Sequence, residues 1–190
     1  LKMADLVITS VNPTTAPEDI VWCRDPSKVI RDAPTVGLPG DYFYSPMQLV
    51  GEWSSYDETI CSVDPSGRGT DETAAAFLSQ RNGLIYLHEM SAYRDGYSDS
   101  TLLDILAKCR TYGVTSLVIE TNFGDGIVGE LFKKHLINTR QNINIEEVRA
   151  NVRKEDRIID SLEPVLNQHR LIVDRGVIDW DYASNKDSPA

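Results

Sequence analysis

No run in this chain approaches the roughly 20 consecutive apolar residues that a bilayer-spanning helix needs. No charged-then-apolar leader opens it, so nothing in the sequence directs secretion. The three cysteines, Cys23, Cys61 and Cys109, are odd in number, far apart and without CxxC spacing. That pattern excludes a zinc ribbon and a disulfide framework, and it fits a reducing, intracellular setting. No Gly-x-x-x-x-Gly-Lys-Ser/Thr occurs, which excludes ATP hydrolysis by a P-loop. His88, His135 and His169 lack metal-ligand spacing and read as structural, and no Ser/His/Asp arrangement supports acyl chemistry. Basic residues are the minority, 19 against 29 acids, for a net charge of −10. This excludes a surface that coats nucleic acid generally, though not local contact through a basic strip or bound cations.

What is present centres on Thr59 to Thr73. A β-branched, apolar run climbs to Asp64, a Pro65-Ser66-Gly67 loop follows, and a second acidic pair, Asp71-Glu72, precedes another apolar run. The pattern reads as strand, tight loop, strand, with the first strand ended by Pro65. A carboxylate on a rigid strand end suits a hard divalent ion, whereas Asp, Ser and Gly are also ordinary turn residues. This stretch alone fits either reading.

The 190 residues suffice for one substantial domain with an added arm. Residues 1–55, with six prolines, read as an N-terminal arm or linker, and 56–190 as the main domain. In the arm, Leu6-Val7-Ile8 and Ile20-Val21-Trp22 fit short strands, and Tyr42-Phe43-Tyr44 is placed to pack on the domain. Strands are predicted at 57–64, 72–80 and 84–90, the last two joined by the Asn82-Gly83 hairpin signal. A helix is predicted over 101–112, with Thr101 and Asp104 as a capping box and Gly113 as its stop. A buried strand over 114–120 ends at Glu120, and a helix follows at about 127–136. A strand at 143–148, a helix at 154–168 broken or kinked by Pro164, a strand at 171–174 and a polar tail from Asn185 complete the pattern. The order is α/β with an antiparallel front half.

If the strands ending at Asp64 and Glu120 are adjacent and parallel, their carboxylates converge at one sheet edge. Alone, Glu120 reads as a capping or surface acid. Beside Asp64 it reads as the second ligand of a site for divalent ions, since two such acids side by side repel.

Three segments resemble phage large terminase subunits, in particular the DNA maturase of T7-type podophages. They are Val63-Asp64-Pro65-Ser66-Gly67-Arg68-Gly69-Thr70-Asp71-Glu72-Thr73, Val118-Ile119-Glu120-Thr121-Asn122-Phe123-Gly124-Asp125-Gly126, and the Lys-x-x-Arg-Ile segment that opens at Lys154 and includes Arg157. The resemblance covers about residues 40 to 182. It implies an RNase H/integrase-like mixed sheet flanked by helices, and an endonuclease that cuts concatemeric double-stranded viral DNA during genome packaging. Further implications are Mg²⁺ or Mn²⁺ as cofactor, two ions by the family's chemistry, with Asp64 and Glu120 as catalytic ligands and Asp71 as a further metal-binding acid. Portal or procapsid and small terminase subunit are the implied partners, an ATPase domain belongs to the same protein, and the setting is the host cytoplasm with no membrane.

The family's third acid lies in a late Asp-Asp-x-x-Asp-Ala segment that does not occur before Ala190, so the C-terminal end of the domain is expected to be missing. Asp174, Asp179 and Asp181 lie outside such a context. Arg68, Lys154 and Arg157 are the candidate DNA contacts, with Lys133, Lys134, His135 and Arg140 adding to a basic second half; solvated surface charges are the alternative. Rival functions are a non-catalytic docking domain of the packaging motor and an actin-like phosphotransferase.

Overall fold

The computed structural model describes residues 2–35, 40–66, 72–121, 126–149 and 154–185. Five short strands come first: β1 (Val7–Thr9), β2 (Thr15–Ala16), β3 (Asp19–Val21), β4 (Gln48–Val50) and β5 (Ser54–Ser55). A meander follows, β6 (Glu58–Asp64), β7 (Thr73–Arg81) and β8 (Leu84–Tyr93), and then α1 (Asp99–Tyr112) and β9 (Ser116–Glu120). The remainder is α2 (Ile127–Thr139), β10 (Asn144–Val148), α3 (Lys154–Asn167), β11 (Leu171–Asp174) and α4 (Arg175–Asn185).

Seven strands form one mixed sheet in the order β1-β11-β8-β7-β6-β9-β10. Only the β6–β7 and β7–β8 pairs are antiparallel, so β7 alone runs against the rest. The C-terminal ends of the other six therefore lie on one side of the sheet. Asn82 and Gly83 both take positive φ, 49° and 78°, as a two-residue hairpin turn requires. β8 carries a bulge: Leu78 pairs with Leu87 and Phe77 with Glu89, leaving His88 as the extra residue.

Alternation along the strands sorts the two faces. Cys61 and Val63 of β6, Ala75 and Phe77 of β7, and Leu117 and Ile119 of β9 pack against Leu102, Ile105, Leu106 and Cys109 of α1 and Val128, Phe132 and Leu136 of α2. Each large side chain fully buried here contributes about 1.5–3 kcal/mol. Cys61 and Cys109 are buried thiols, as their apolar context predicts. On the far side, Val177 of α4 joins Ile8, Phe43 and Val173 in a separate cluster.

The N-terminal segment is tied to the sheet at several points. β1 is its edge strand, and Phe43 and Tyr44 are buried while Tyr42 is exposed. Buried Arg81 donates to the carbonyls of Ala16 (2.7 Å) and Ser54 (2.6 Å). Trp22 stacks on His169 with ring centroids 3.5 Å apart.

Three local expectations are corrected. The cap of α1 is Ser98, whose hydroxyl accepts from the Thr101 N–H; Thr101 lies inside the helix, and Asp104 instead accepts from Tyr93. Pro164 does not break α3, because only three helical residues follow it and the lost hydrogen bond falls in the final turn. Residues 175–185 form a helix where no element was predicted, with Asp174 Oδ1 accepting from the Gly176 N–H at its start.

Candidate metal centre at the strand ends

β6 and β9 are parallel neighbours, and their last printed pair is Val63 with Ile119. Asp64 and Glu120 follow directly, so two carboxylates stand side by side on adjacent strand ends, at a strand spacing of about 4.8 Å. Both point to the face opposite α1 and α2, because their neighbours Val63 and Ile119 are in that core. Asp64 is exposed and Glu120 is half-buried.

The loop after Asp64 is fixed at its base. The Ser66 N–H donates to Thr73 Oγ1 at 3.0 Å, and Thr73 is buried at the start of β7. Across the same end of the sheet, Arg94 pairs with Glu72 at 3.0 Å on the exposed surface. On β10, the Glu147 carboxylate lies over Gly126 and Gly129 in the first turn of α2.

The predicted site residues divide three ways. Asp64 and Glu120 come together. Arg157 of α3 reaches the same place, its Nη2 donating to Glu120 Oε1 at 3.2 Å. Arg68, Asp71 and the side chain of Lys154 lie outside the described residues. The later acids are elsewhere: Asp174 ends β11, three strands from β6 and roughly 14 Å across the sheet. Its Oδ2 accepts from the Val11 N–H, while Asp179 pairs with Arg175 and Asp181 with Asn185. Among the described residues no group of three or more His, Cys, Asp and Glu side chains is arranged to hold a metal ion. In the basic half, His135 is buried and bonded to Asp99 at 2.9 Å, which removes it from any surface strip.

A second polar cluster escaped sequence reasoning. Lys108 of α1 pairs with Glu89 of β8 at 2.7 Å, and the Tyr112 hydroxyl donates to the same carboxylate at 2.7 Å. Burial opposes ionisation of Glu89, but Lys108 and Tyr112 outweigh it and hold the carboxyl below its usual range. Burial pushes the Tyr93 phenol up to about 12, with Asp104 adding to it. Beside them His88 donates to or accepts from Ser79 at 2.7 Å, and burial lowers its pKa to about 4. The cluster floors a cavity of about 440 Å³ walled by Asp174, Val177 and Trp180. The only sequence signal was the Asp104–Lys108 spacing on α1.

Among the described residues no helix is long and apolar enough to cross a membrane. Residues 63–171 match the family described as Terminase Bacteriophage T7, Ribonuclease H-like domain. The large terminase subunit of Enterobacteria phage T3 is 38% identical over 188 residues, covering 99% of this chain. The chain spans 32% of that relative's length. A manganese-soaked, inhibitor-bound terminase nuclease domain of human cytomegalovirus superposes with a TM-score of 0.50 at 9% identity, over 70% of this chain and 74% of that one, a likeness that bears on fold alone. The large terminase nuclease of thermophilic phage G20c gives 0.48 at 16% identity, over 62% and 59%. Matching across residues 63–171, over the strands that carry Asp64 and Glu120, the chain belongs to the ribonuclease H-like domain family of phage T7-type large terminases.

Proposed function

We propose that this domain is a metal-dependent endodeoxyribonuclease that cuts concatemeric double-stranded viral DNA during genome packaging. The adjacency of Asp64 and Glu120 on parallel strand ends is the observation that carries the reading. The donor set fits the implied ion: two carboxylates offer the oxygen ligands that Mg²⁺ and Mn²⁺ favour, on rigid elements rather than loops. Two like charges at neighbouring positions also gain from a cation between them.

In this mechanism Asp64 and Glu120 are ligands and not proton shuttles. Asp64 and Glu120 would hold the divalent ions, whose chemistry would be acidification of a water and charge stabilisation at the leaving oxygen. The Ser66–Thr73 contact fixes the backbone just beyond Asp64, holding that carboxylate in place. Arg157 brings a guanidinium to the same place, where it can pair with a phosphate oxygen as well as with Glu120. Arg68, Lys154 and Asp71 are further candidates, the first two for DNA and the third for metal.

The same reading takes residues 56–190 as the nuclease domain and 1–55 as an arm that packs on it and adds β1 to the edge of its sheet. It places the domain in the host cytoplasm, with an ATPase domain of the same protein, a small terminase subunit and the portal or procapsid as partners. The test is supercoiled-plasmid cleavage with Mg²⁺, Mn²⁺ or EDTA, run beside Asp64→Asn and Glu120→Gln. Cutting that needs the metal and is lost in both variants is expected. Cutting that survives in either variant would remove that residue from the site.

A further inference from the structure

β8 is longer than the strand beside it. β11 pairs with it only from Ile85 to Leu87, so residues 88–93 have a strand neighbour on the β7 side alone among the described residues. The cavity of about 440 Å³ runs along that free edge, and residues 88–93 all line it. One wall is α1, through Lys108 and Tyr112, and the other is the first half of α4, through Val177 and Trp180.

We propose that this edge takes an extended segment of a partner protein as an added strand, with basic side chains turned to α1 and apolar ones to α4. Asp64 and Glu120 end other strands and face away from α1, so the edge is independent of the metal site. A strand edge offers a row of backbone donors and acceptors, and native edges are commonly blunted by lysine, proline or an inward charge. Residues 88–93 hold no lysine or proline, and their one charge, Glu89, is held by Lys108 and Tyr112.

His88 adds to this. It is the extra residue of the bulge, only 5% exposed, and it lines the groove. Its Nε2 meets Ser79, while its Nδ1 has no hydrogen-bond partner among the described residues. Buried polar atoms are nearly always partnered, so this nitrogen marks a place for a group from outside. A peptide unit brings both an N–H and a C=O, and so suits Nδ1 in either tautomer.

Side-chain chemistry selects the occupant, because successive side chains of an added strand alternate between the two faces. On the α1 side, Glu89, Asp104 and Asp174 are three carboxylates to one cation, Lys108, which Glu89 and Asp104 already share. Each oxygen of Asp174 accepts one backbone N–H and keeps a lone pair. Burial first, then Glu89 and Asp174, push the Tyr112 phenol up, as surplus negative charge does. That wall favours arginine or lysine and repels nucleic acid. On the other side Met90 and Trp180 are 39% and 37% exposed beside Val177, an apolar ledge for aliphatic side chains. A second copy fits poorly, because each chain carries a net charge of −10.

The experiment is fluorescence-anisotropy titration of this chain into a fluorescein-labelled peptide of about six residues that alternates arginine and valine. Saturable binding below about 1 mM is expected, weaker as salt rises. A peptide alternating glutamate and valine should bind at least roughly tenfold more weakly. Two further arginine–valine peptides carry N-methyl groups on alternate amides, one on the odd and one on the even positions. One should lose binding and the other keep it, since only alternate residues of a strand turn their N–H groups to a given neighbour. Amide hydrogen exchange within residues 88–93 should slow when peptide is bound. Trp180→Ala should weaken binding roughly tenfold, and Ile137→Ala, exposed on α2, should leave it unchanged. Thermal unfolding that matches the parent shows each variant folded.

Absence of binding overturns the proposal, as does equal binding of the glutamate peptide or of the two N-methylated peptides. Unchanged affinity in a folded Trp180→Ala removes the α4 wall and overturns it too. Exchange at 88–93 that slows with protein concentration alone gives the edge to a second copy instead. Should Trp180→Ala unfold, the N-methylated pair decides without any variant.

Discussion

Arg157 donates to Glu120 at 3.2 Å, so the carboxylate that ends β9 has a counter-charge supplied from α3. Arg157 and a divalent ion draw on the same carboxylate oxygens. Arg157→Gln should therefore cost stability in EDTA, about 1 kcal/mol at most for a half-exposed pair. It should also make Mn²⁺ a stronger stabiliser, because stabilisation by a ligand grows with the logarithm of its affinity for the folded state. Thermal denaturation with and without Mn²⁺ checks this, with Glu120→Gln as the reference in which the Mn²⁺ shift disappears. Equal Mn²⁺ shifts in parent and Arg157→Gln would show that the two cations do not compete.

Gly129 lies inside α2 although glycine weakens helices by about 1 kcal/mol relative to alanine. A Cβ there would collide with the carboxylate of Glu147, which lies over the first turn of the helix. An acid at a helix N-terminus contributes roughly 0.3–1 kcal/mol. Gly129→Ala should be near neutral in the parent, since the propensity gain is offset by displacing Glu147. In a Glu147→Ala background the same change should stabilise by about 0.5–1 kcal/mol. A double-mutant cycle by urea denaturation reads the difference, and equal effects in both backgrounds would refute the offset.

His88 gives the pH dependence a distinct window. Burial depresses its folded pKa to about 4 from an ordinary 6.5, so the native state resists protonation. Between those values the unfolded chain binds a proton that the folded chain does not. Stability is then complete above about pH 6.5 and falls as pH drops toward 4, at up to about 1.4 kcal/mol per unit. His88→Gln should flatten this limb while leaving the steeper loss below the carboxylate range, where Glu89 and Asp104 must protonate. Urea denaturation across pH 4 to 7 measures both limbs. A variant that keeps the parent's slope would place the effect elsewhere.

The carboxylate pair was legible because each acid ends a short apolar run and a helix lies between the runs. A helical crossover is what joins parallel strands, so α1 brings β9 back beside β6. The hidden parts depend on long-range contacts. α4 begins on Asp174, which also accepts from Val11, 163 residues away in sequence. Its eleven residues follow β11 with no intervening loop and include Gly176, a weak helix former, so nothing local marks where the strand ends and the helix starts. The charged partner of Glu89 is Lys108, which with Tyr112 meets it from α1, beyond the reach of any local pattern. β1, three residues long, carries too few side chains for alternation to mark it as part of the main sheet.

The cap of α1 separates two readings of one sequence. Thr101 and Asp104 have capping-box spacing, but the hydroxyl that accepts a helical N–H is that of Ser98. Ser98→Ala removes that acceptor and should cost about 1 kcal/mol. Asp104 acts elsewhere, accepting from Tyr93 at 2.6 Å and pairing with Lys108 at 3.3 Å. Asp104→Asn should therefore leave the helix start intact and change the Tyr93 titration, since Asp104 helps to raise that phenol. Amide hydrogen exchange at residues 100–102 distinguishes the two. Faster exchange there is expected for Ser98→Ala and not for Asp104→Asn, and the reverse would restore Thr101 as the cap.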